Sequence, residues 1–264
     1  MTLKLATWNI NSVRLRLENV QRLLETEAPD VLCLQEIKTL AETFPATALA
    51  EFGSEHQAVH GQRGYHGVAI VSKRPFAKTW TDEHCERGHA RHVAVSLENG
   101  IELHNFYVPS GGDIPDPKLN DKFAHKLAFL AELERHFSRQ KDGTPRILVG
   151  DLNVAPHEND VWSHRQLIDV VSHTPVEVDH LLALKASLDW HDVSRDRARP
   201  DEKLYSWWSY RARDWAASDR GRRLDHIWLT PALKSAVLDH RILRDVRSWD
   251  KASDHVPVTA TLDL

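Results

Sequence analysis

The chain has little cysteine. Cys33 and Cys85 are the only two in 264 residues, too few for a disulfide framework or a cysteine-based zinc spacing. Cys33 lies in an apolar run and reads as a buried free thiol, whereas Cys85, in Glu83-His84-Cys85-Glu86, could join a His-rich metal site. Long apolar runs are absent too. None approaches the ~20 residues of a membrane helix, and Met1-Thr2-Leu3-Lys4-Leu5 lacks the apolar core of a secretion signal. No membrane association and a reducing, cytoplasmic location are therefore expected. Excess positive charge is also missing. A formal net charge of −4 excludes a histone-like or coating protein for nucleic acid. It does not exclude an enzyme whose acidic site offsets a locally basic surface. There is no linker, low-complexity segment or fixed-period repeat, so residues 1–264 read as one domain.

What is present is an ordinary apolar content of 41%, with nine tryptophans. Most of these are expected in the core, but such rings also stack on bases and sugars. Alternation of apolar and polar residues predicts strands at 3–8, 67–72, 92–97 and 101–108, and apolar runs add strands at 31–34, 146–150, 224–229 and 256–262. Asn99-Gly100 between two alternating runs is a hairpin signal. Leu17, Val20 and Leu24 have helical spacing, ended by Pro29-Asp30, and helices are expected over 121–139 and 177–188. Residues 53–67 and 109–120 read as loops, and 196–223 as a long polar and aromatic connection of functional character. Each half runs strand, helix, strands. That order predicts a pseudo-symmetric α/β sandwich of two packed sheets.

Three polar motifs lie roughly 100 residues apart, each beside an apolar run: Leu34-Gln35-Glu36, Gly150-Asp151-Leu152-Asn153 and Ser253-Asp254-His255-Val256-Pro257. Strand ends are where α/β folds build their sites. Glu36, Asp151 and Asp254 gathered at one rim would repel one another unless a cation or shared protons intervened, which calls for a hard divalent metal. His255 is the acid suited to neutral pH, and Asp225 could orient it. Asn153 can donate to a phosphate oxygen. Residues 203–223 mix Arg211, Arg213, Arg220, Arg222 and Arg223 with Trp207, Trp208, Tyr210 and Trp215. Guanidinium groups neutralise phosphates and the rings can stack in a groove.

These motifs, in this order, resemble the exonuclease III family of abasic-site endonucleases, within the endonuclease/exonuclease/phosphatase superfamily that includes DNase I. The resemblance runs nearly end to end. Its anchors are Ala6-Thr7-Trp8-Asn9-Ile10-Asn11-Ser12-Val13-Arg14, Leu34-Gln35-Glu36-Ile37-Lys38, Asn105-Phe106-Tyr107-Val108-Pro109 and Gly150-Asp151-Leu152-Asn153-Val154, then Tyr205-Ser206-Trp207-Trp208, Arg223-Leu224-Asp225 and Ser253-Asp254-His255-x-Pro257. It implies a DNase I-like, four-layered α/β sandwich with its site where the sheets meet. It implies magnesium, with manganese as a substitute, held mainly by Glu36 with Asn9 and Asp254 nearby. Asp151 would orient or deprotonate the attacking water. Tyr107 and Asn153 would hold the scissile phosphate, and His255, paired with Asp225, would polarise a phosphate oxygen. Arg211, Arg213, Arg222, Arg223, Trp207, Trp208 and Leu224 would contact double-stranded DNA at an abasic site or a 3′ end, with Trp207 and Leu224 walling a base-free sugar. A monomer is expected.

Three places depart from the family pattern. Ser110 stands where many members carry Asn or Gln. Arg222 replaces an apolar residue of the sugar pocket. Residues 154–171 match poorly. Two other readings compete: the same fold acting on a non-DNA phosphate ester, and a binding protein without catalysis. The complete set Asn9, Glu36, Tyr107, Asp151, Asn153, Asp225, Asp254 and His255 argues against the second.

Overall fold

The computed structural model describes residues 2–264. Its strands, in chain order, are β1 (Thr2–Asn9), β2 (Val31–Gln35), β3 (His56–His60), β4 (Val68–Ser72), β5 (Phe76–Trp80), β6 (His92–Leu97), β7 (Glu102–Tyr107), β8 (Arg146–Asp151), β9 (His191–Asp192), β10 (Trp207–Trp208), β11 (Gly221–Arg222), β12 (Asp225–Leu229), β13 (Val237–Ile242) and β14 (Val258–Asp263). One sheet has the order β13-β14-β1-β2-β4-β3, and the other β5-β6-β7-β8-β12-β9. Each is antiparallel except for one central parallel pair, β1 with β2 and β7 with β8. The expected internal pseudo-symmetry is thus present in the pairing pattern.

The core follows from side-chain alternation along each strand. Leu3 and Leu5 of β1, Cys33 of β2, Leu103 of β7, Val149 of β8 and Ile227 of β12 meet between the sheets. Their neighbours on the opposite faces, including Trp8, Leu34, Phe106 and Trp228, pack under helices. The helix Leu17–Thr26 covers the first sheet through Val20, Leu23 and Leu24. The helices Asp121–Ser138 and Pro175–Ser187 cover the second through Phe129, Leu133, Phe137, Leu181 and Leu184. The result is a four-layered α/β sandwich, as expected. Among the described residues no helix is long and apolar enough to cross a membrane.

The two helices on the second sheet carry explicit start signals. The Asn120 side chain accepts from Lys122 N. Thr174 and Glu177 form a reciprocal capping box with Pro175 at the first turn. The sequence reading missed β3, β5 and β13, and 53–67 was expected to be loop. β3 and β13 are edge strands rich in His, Gln or charged residues, and much of β5 is exposed. Their pairing is decided by the neighbouring strand rather than by their own alternation. The 196–223 connection is not structureless either, since it folds back as the β10–β11 ribbon.

Candidate active site

The same alternation delivers the site. On β1, the face holding Leu3 and Leu5 continues through Thr7 to Asn9. On β2 it continues from Val31 and Cys33 to Gln35, and on β7 from Leu103 through Asn105 to Tyr107. On β8 it runs from Ile147 and Val149 to Asp151, and on β12 from Leu229 and Ile227 to Asp225. Polar ends of five strands therefore meet at one rim of the inter-sheet core. Register fixes their heights: Tyr107 and Asp225 are both cross-strand partners of Asp151. Gly150 is required for this closeness, because a Cβ there would lie 1.9 Å from Phe106 O.

Glu36 follows β2 in a left-handed conformation (φ +48°). Its Oε1 accepts from Asn9 Nδ2 at 2.9 Å, and its Oε2 pairs with Lys38 Nζ at 2.9 Å. Asn11, Ser12, Lys38 and Asn153 also have positive φ. Strained non-glycine backbone is thus gathered at the two rim loops and the Asn153 turn, as at many functional sites. Asn9 also donates to Asp151 Oδ2 at 2.8 Å. Asn9 is fully buried, and its amide is taken up by these two carboxylates. Asn9 therefore orients both carboxylates from beneath the site.

Asp151 is buried and accepts from Asn153 N at 3.0 Å and Asn153 Nδ2 at 3.1 Å. Burial pushes its carboxyl up to about 7, with Asp225 and Glu36 adding to the rise against the opposing His255. His255 Nδ1 lies 2.8 Å from Asp225 Oδ2, and Nε2 lies 3.7 Å from Asp151 Oδ2. Burial works against the imidazolium, but the Asp225 and Asp151 carboxylates outweigh it and push His255 up to about 10. His255 therefore carries the proton at neutral pH. Ser206, part of the Tyr205-Ser206-Trp207-Trp208 anchor but given no role by the sequence, fixes Asp225: its Oγ donates to Asp225 Oδ2 at 2.7 Å and accepts from Leu224 N and Asp225 N.

Burial, followed by the nearby Glu36 and Asp151 charges, raises the Tyr107 phenol well above its ordinary value. The hydroxyl stays protonated and remains a donor. The Arg91 guanidinium lies 4.8 Å from the Tyr107 ring centre. Asp254 accepts from Asn11 Nδ2 at 3.1 Å and from Trp207 Nε1 at 3.0 Å. Burial opposes its ionisation, yet His255 and these donors keep its carboxyl below the usual range. Lys126, also missed, is a fully buried cation. It pairs with Glu177 and donates to Asn153 O at 2.7 Å and Ser110 O at 3.3 Å, tying both loops to the helices.

Glu36, Tyr107, Asp151, Asn153, Asp254 and His255 open on a cleft of about 650 Å³. Trp207, Leu224, Arg222 and Arg211 also line it, together with Trp162 and Leu167 from the poorly matched 154–171 segment. Two of the expected DNA contacts are buried, and a third lies outside this cleft. Arg223 is fully buried and makes paired hydrogen bonds to Asp160 and Asp192 at 2.8–3.0 Å. A guanidinium locked between two buried carboxylates organises the protein interior and is out of reach of phosphate. Trp208 is 1% exposed and packs in the core beside Tyr205. Arg213 is exposed but outside the cleft lining. The sequence could not separate these from Arg211 and Arg222, because alternation along a two-residue strand carries little signal.

Two mixed sheets face to face, with acids, amides and an imidazolium at one rim, define a class. The chain belongs to the Endonuclease/Exonuclease/phosphatase family, whose profile matches residues 6–255. Within it the chain groups with exonuclease III and AP endonucleases. Exodeoxyribonuclease III of Haemophilus influenzae is 28% identical over 274 residues, covering 98% of this chain and 99% of that protein. The AP endonuclease of Archaeoglobus fulgidus superposes with a TM-score of 0.91 at 31% identity, covering 99% of this chain and 100% of its own. The Neisseria 3′ phosphatase NExo, solved bound to a product DNA hairpin, gives the same TM-score, identity and coverage.

Proposed function

We propose that the protein is a metal-dependent DNA phosphodiesterase of base excision repair, combining abasic-site incision with 3′–5′ exonuclease and 3′-end-cleaning activity. The observation that carries this is the convergence of Asp151, His255 with Asp225, Asn153 and Tyr107 on one cleft that Trp207, Leu224 and Arg222 also line. The polar groups suit a phosphodiester, and the Trp207 and Leu224 side chains suit a sugar ring.

The donor set fits a hard divalent cation. Glu36, Asp151 and Asp254 offer hard oxygen donors, and among the described residues Lys38 is the only cation paired with Glu36. Asp225 Oδ1 is buried without a partner, and Asp151, Asp225 and His255 place ligand atoms within 4.8 Å of one another. Glu36 with Asp254 would hold magnesium, or manganese in its place. The ion supplies charge neutralisation at a phosphate oxygen.

The chain's own residues then divide the work. Asp151, fixed by Asn9 and Asn153, orients a water and accepts its proton. The imidazolium of His255 donates from Nε2 to a phosphate oxygen as charge builds there. Tyr107 and Asn153 hold the remaining oxygens. The new P–O bond forms in line as the bond to the 3′-oxygen breaks, and that oxygen takes a proton from solvent. Double-stranded DNA with an abasic site or a 3′ end is the proposed partner, acted on by a monomer in the cytoplasm. The test is a labelled-duplex panel with an internal abasic site, a blunt end, a recessed 3′ end and a 3′-phosphate, with and without chelator. Cleavage of none of them in magnesium, with hydrolysis of a lipid or nucleotide phosphodiester instead, would refute the assignment.

A further inference from the structure

The histidines left over from catalysis are not scattered. A groove of about 880 Å³ opens between the 83–87 segment and the 121–138 helix, with Cys85 and His125 in its lining. There Cys85 Sγ, one His89 ring nitrogen and one His125 ring nitrogen lie within 4.8 Å of one another. His125 is only 9% exposed, and its Nε2 has no hydrogen-bond partner. His89 Nδ1 and the adjacent His66 Nδ1 are buried and unpartnered as well. A single buried lone pair without a donor is a tolerable cost, but three in one place, beside a thiol, call for a shared ligand.

We propose that Cys85, His89 and His125 form a second metal site, which takes Zn²⁺ and staples the 81–91 segment to the 121–138 helix. One sulfur and two imidazole nitrogens are the soft and borderline donors that zinc prefers over magnesium. In a tetrahedral zinc site the ligand atoms are about 3.3–3.6 Å apart, so closure by roughly 1 Å completes the trio and leaves the fourth position to water. On binding, the Cys85 thiol gives its proton to solvent and the Sγ–metal bond forms. Glu83 and Glu86 also line the groove, beside the Arg87–Asp121 pair at 2.8 Å and the Arg135–Glu132 pair at 2.7 Å.

The staple would bear on the catalytic cleft. Ala90 O accepts from Gly67 N at 2.9 Å, and Arg91 O accepts from Tyr107 N at 2.8 Å. The His66 ring lies 4.4 Å from His89 and 6.1 Å from Tyr107. Fixing the 81–91 segment therefore fixes the neighbours of Tyr107.

The experiment uses full-length protein, stripped with chelator and kept in excess Mg²⁺ so that the hard acidic site is occupied. Co²⁺ is titrated first, then Zn²⁺. The expected result is a near-ultraviolet thiolate-to-cobalt charge-transfer band at one equivalent, displaced by one equivalent of Zn²⁺, with a rise in Tm. The band reports Cys85, since Cys33 is fully buried in the inter-sheet core. Cys85→Ser should lose it. His125→Gln should weaken zinc binding by more than the roughly 10–100-fold that removal of an outer partner costs. A folded wild type without the band, or a band and zinc affinity unchanged in both variants, would overturn the proposal.

Discussion

Arg222→Leu is the substitution that most directly tests how the cleft chooses its substrate. The Arg222 guanidinium crosses the recess. Its Nη1 donates to Val171 O at 2.9 Å and Ser172 Oγ at 2.7 Å, and its centre lies 5.3 Å from the Trp207 ring. Its Nε is buried without a partner. An apolar wall would favour a bare deoxyribose; a guanidinium fastened across it narrows the recess and offers charge to an intact terminal nucleotide or a phosphate. Opening the wall to leucine would let a base-free sugar bury about 60–80 Å² more apolar surface, about 1.5–2 kcal/mol at 25 cal/mol per Å². That corresponds to a rise of roughly 10- to 30-fold in abasic incision relative to blunt-end degradation. The slope of log affinity against log salt should flatten by about 0.9 if Arg222 meets one phosphate. Against this, the lost charged hydrogen bonds should lower stability by about 1–2 kcal/mol, because the site is partly open to water. The assay is the ratio of abasic incision to blunt-end degradation at two salt concentrations, with Tm measured in parallel. An unchanged ratio in a folded variant would show that Arg222 only braces Val171 and Ser172 and that Trp207, Leu224 or Trp162 sets the pocket.

Other outcomes follow from the same geometry. Glu36→Ala should lose activity through metal binding and be partly restored by excess manganese; near-normal activity at low magnesium would sink the ligand assignment. His255→Ala and Asp225→Ala should each cut turnover by roughly 10²–10⁴-fold with little change in DNA binding. The double variant should cost far less than the product of the two, since the residues act as a unit, and fully multiplicative losses would separate their roles. Arg223→Ala should destabilise by about 3–5 kcal/mol by leaving Asp160 and Asp192 buried and unpaired. Burial alone would raise both carboxyls, yet Arg223 first among their partners holds them below the ordinary range. Their stabilisation is therefore complete above about pH 4 and fades as pH falls below it. Thermal melts of wild type and Asp192→Asn at pH 3–7 check this, and identical acid slopes would contradict it.

The chain's chemistry was legible because the strands that carry it are regular. β1, β2, β7, β8 and β12 alternate or run apolar in short stretches, and Glu36, Tyr107, Asp151 and Asp225 sit at or just after their ends. Short-range periodicity is written in the sequence, and with it the fold class, the central strands and the main helices. What a side chain meets across the core is not. Arg222 and Arg223 are consecutive and identical in type, yet one lines the cleft and the other is sealed between Asp160 and Asp192, which come from distant segments. Ser206 beneath Asp225 and Lys126 beneath Asn153 act across 19 and 27 residues. The Cys85, His89 and His125 group depends on where a helix lands on a sheet. Such pairings are set by layer packing and register, which no local pattern encodes. The sequence by itself determined the strands and the reactive groups at their ends. Only the tertiary structure decided which arginines line the cleft, which one is locked inside, and which histidines gather beside Cys85.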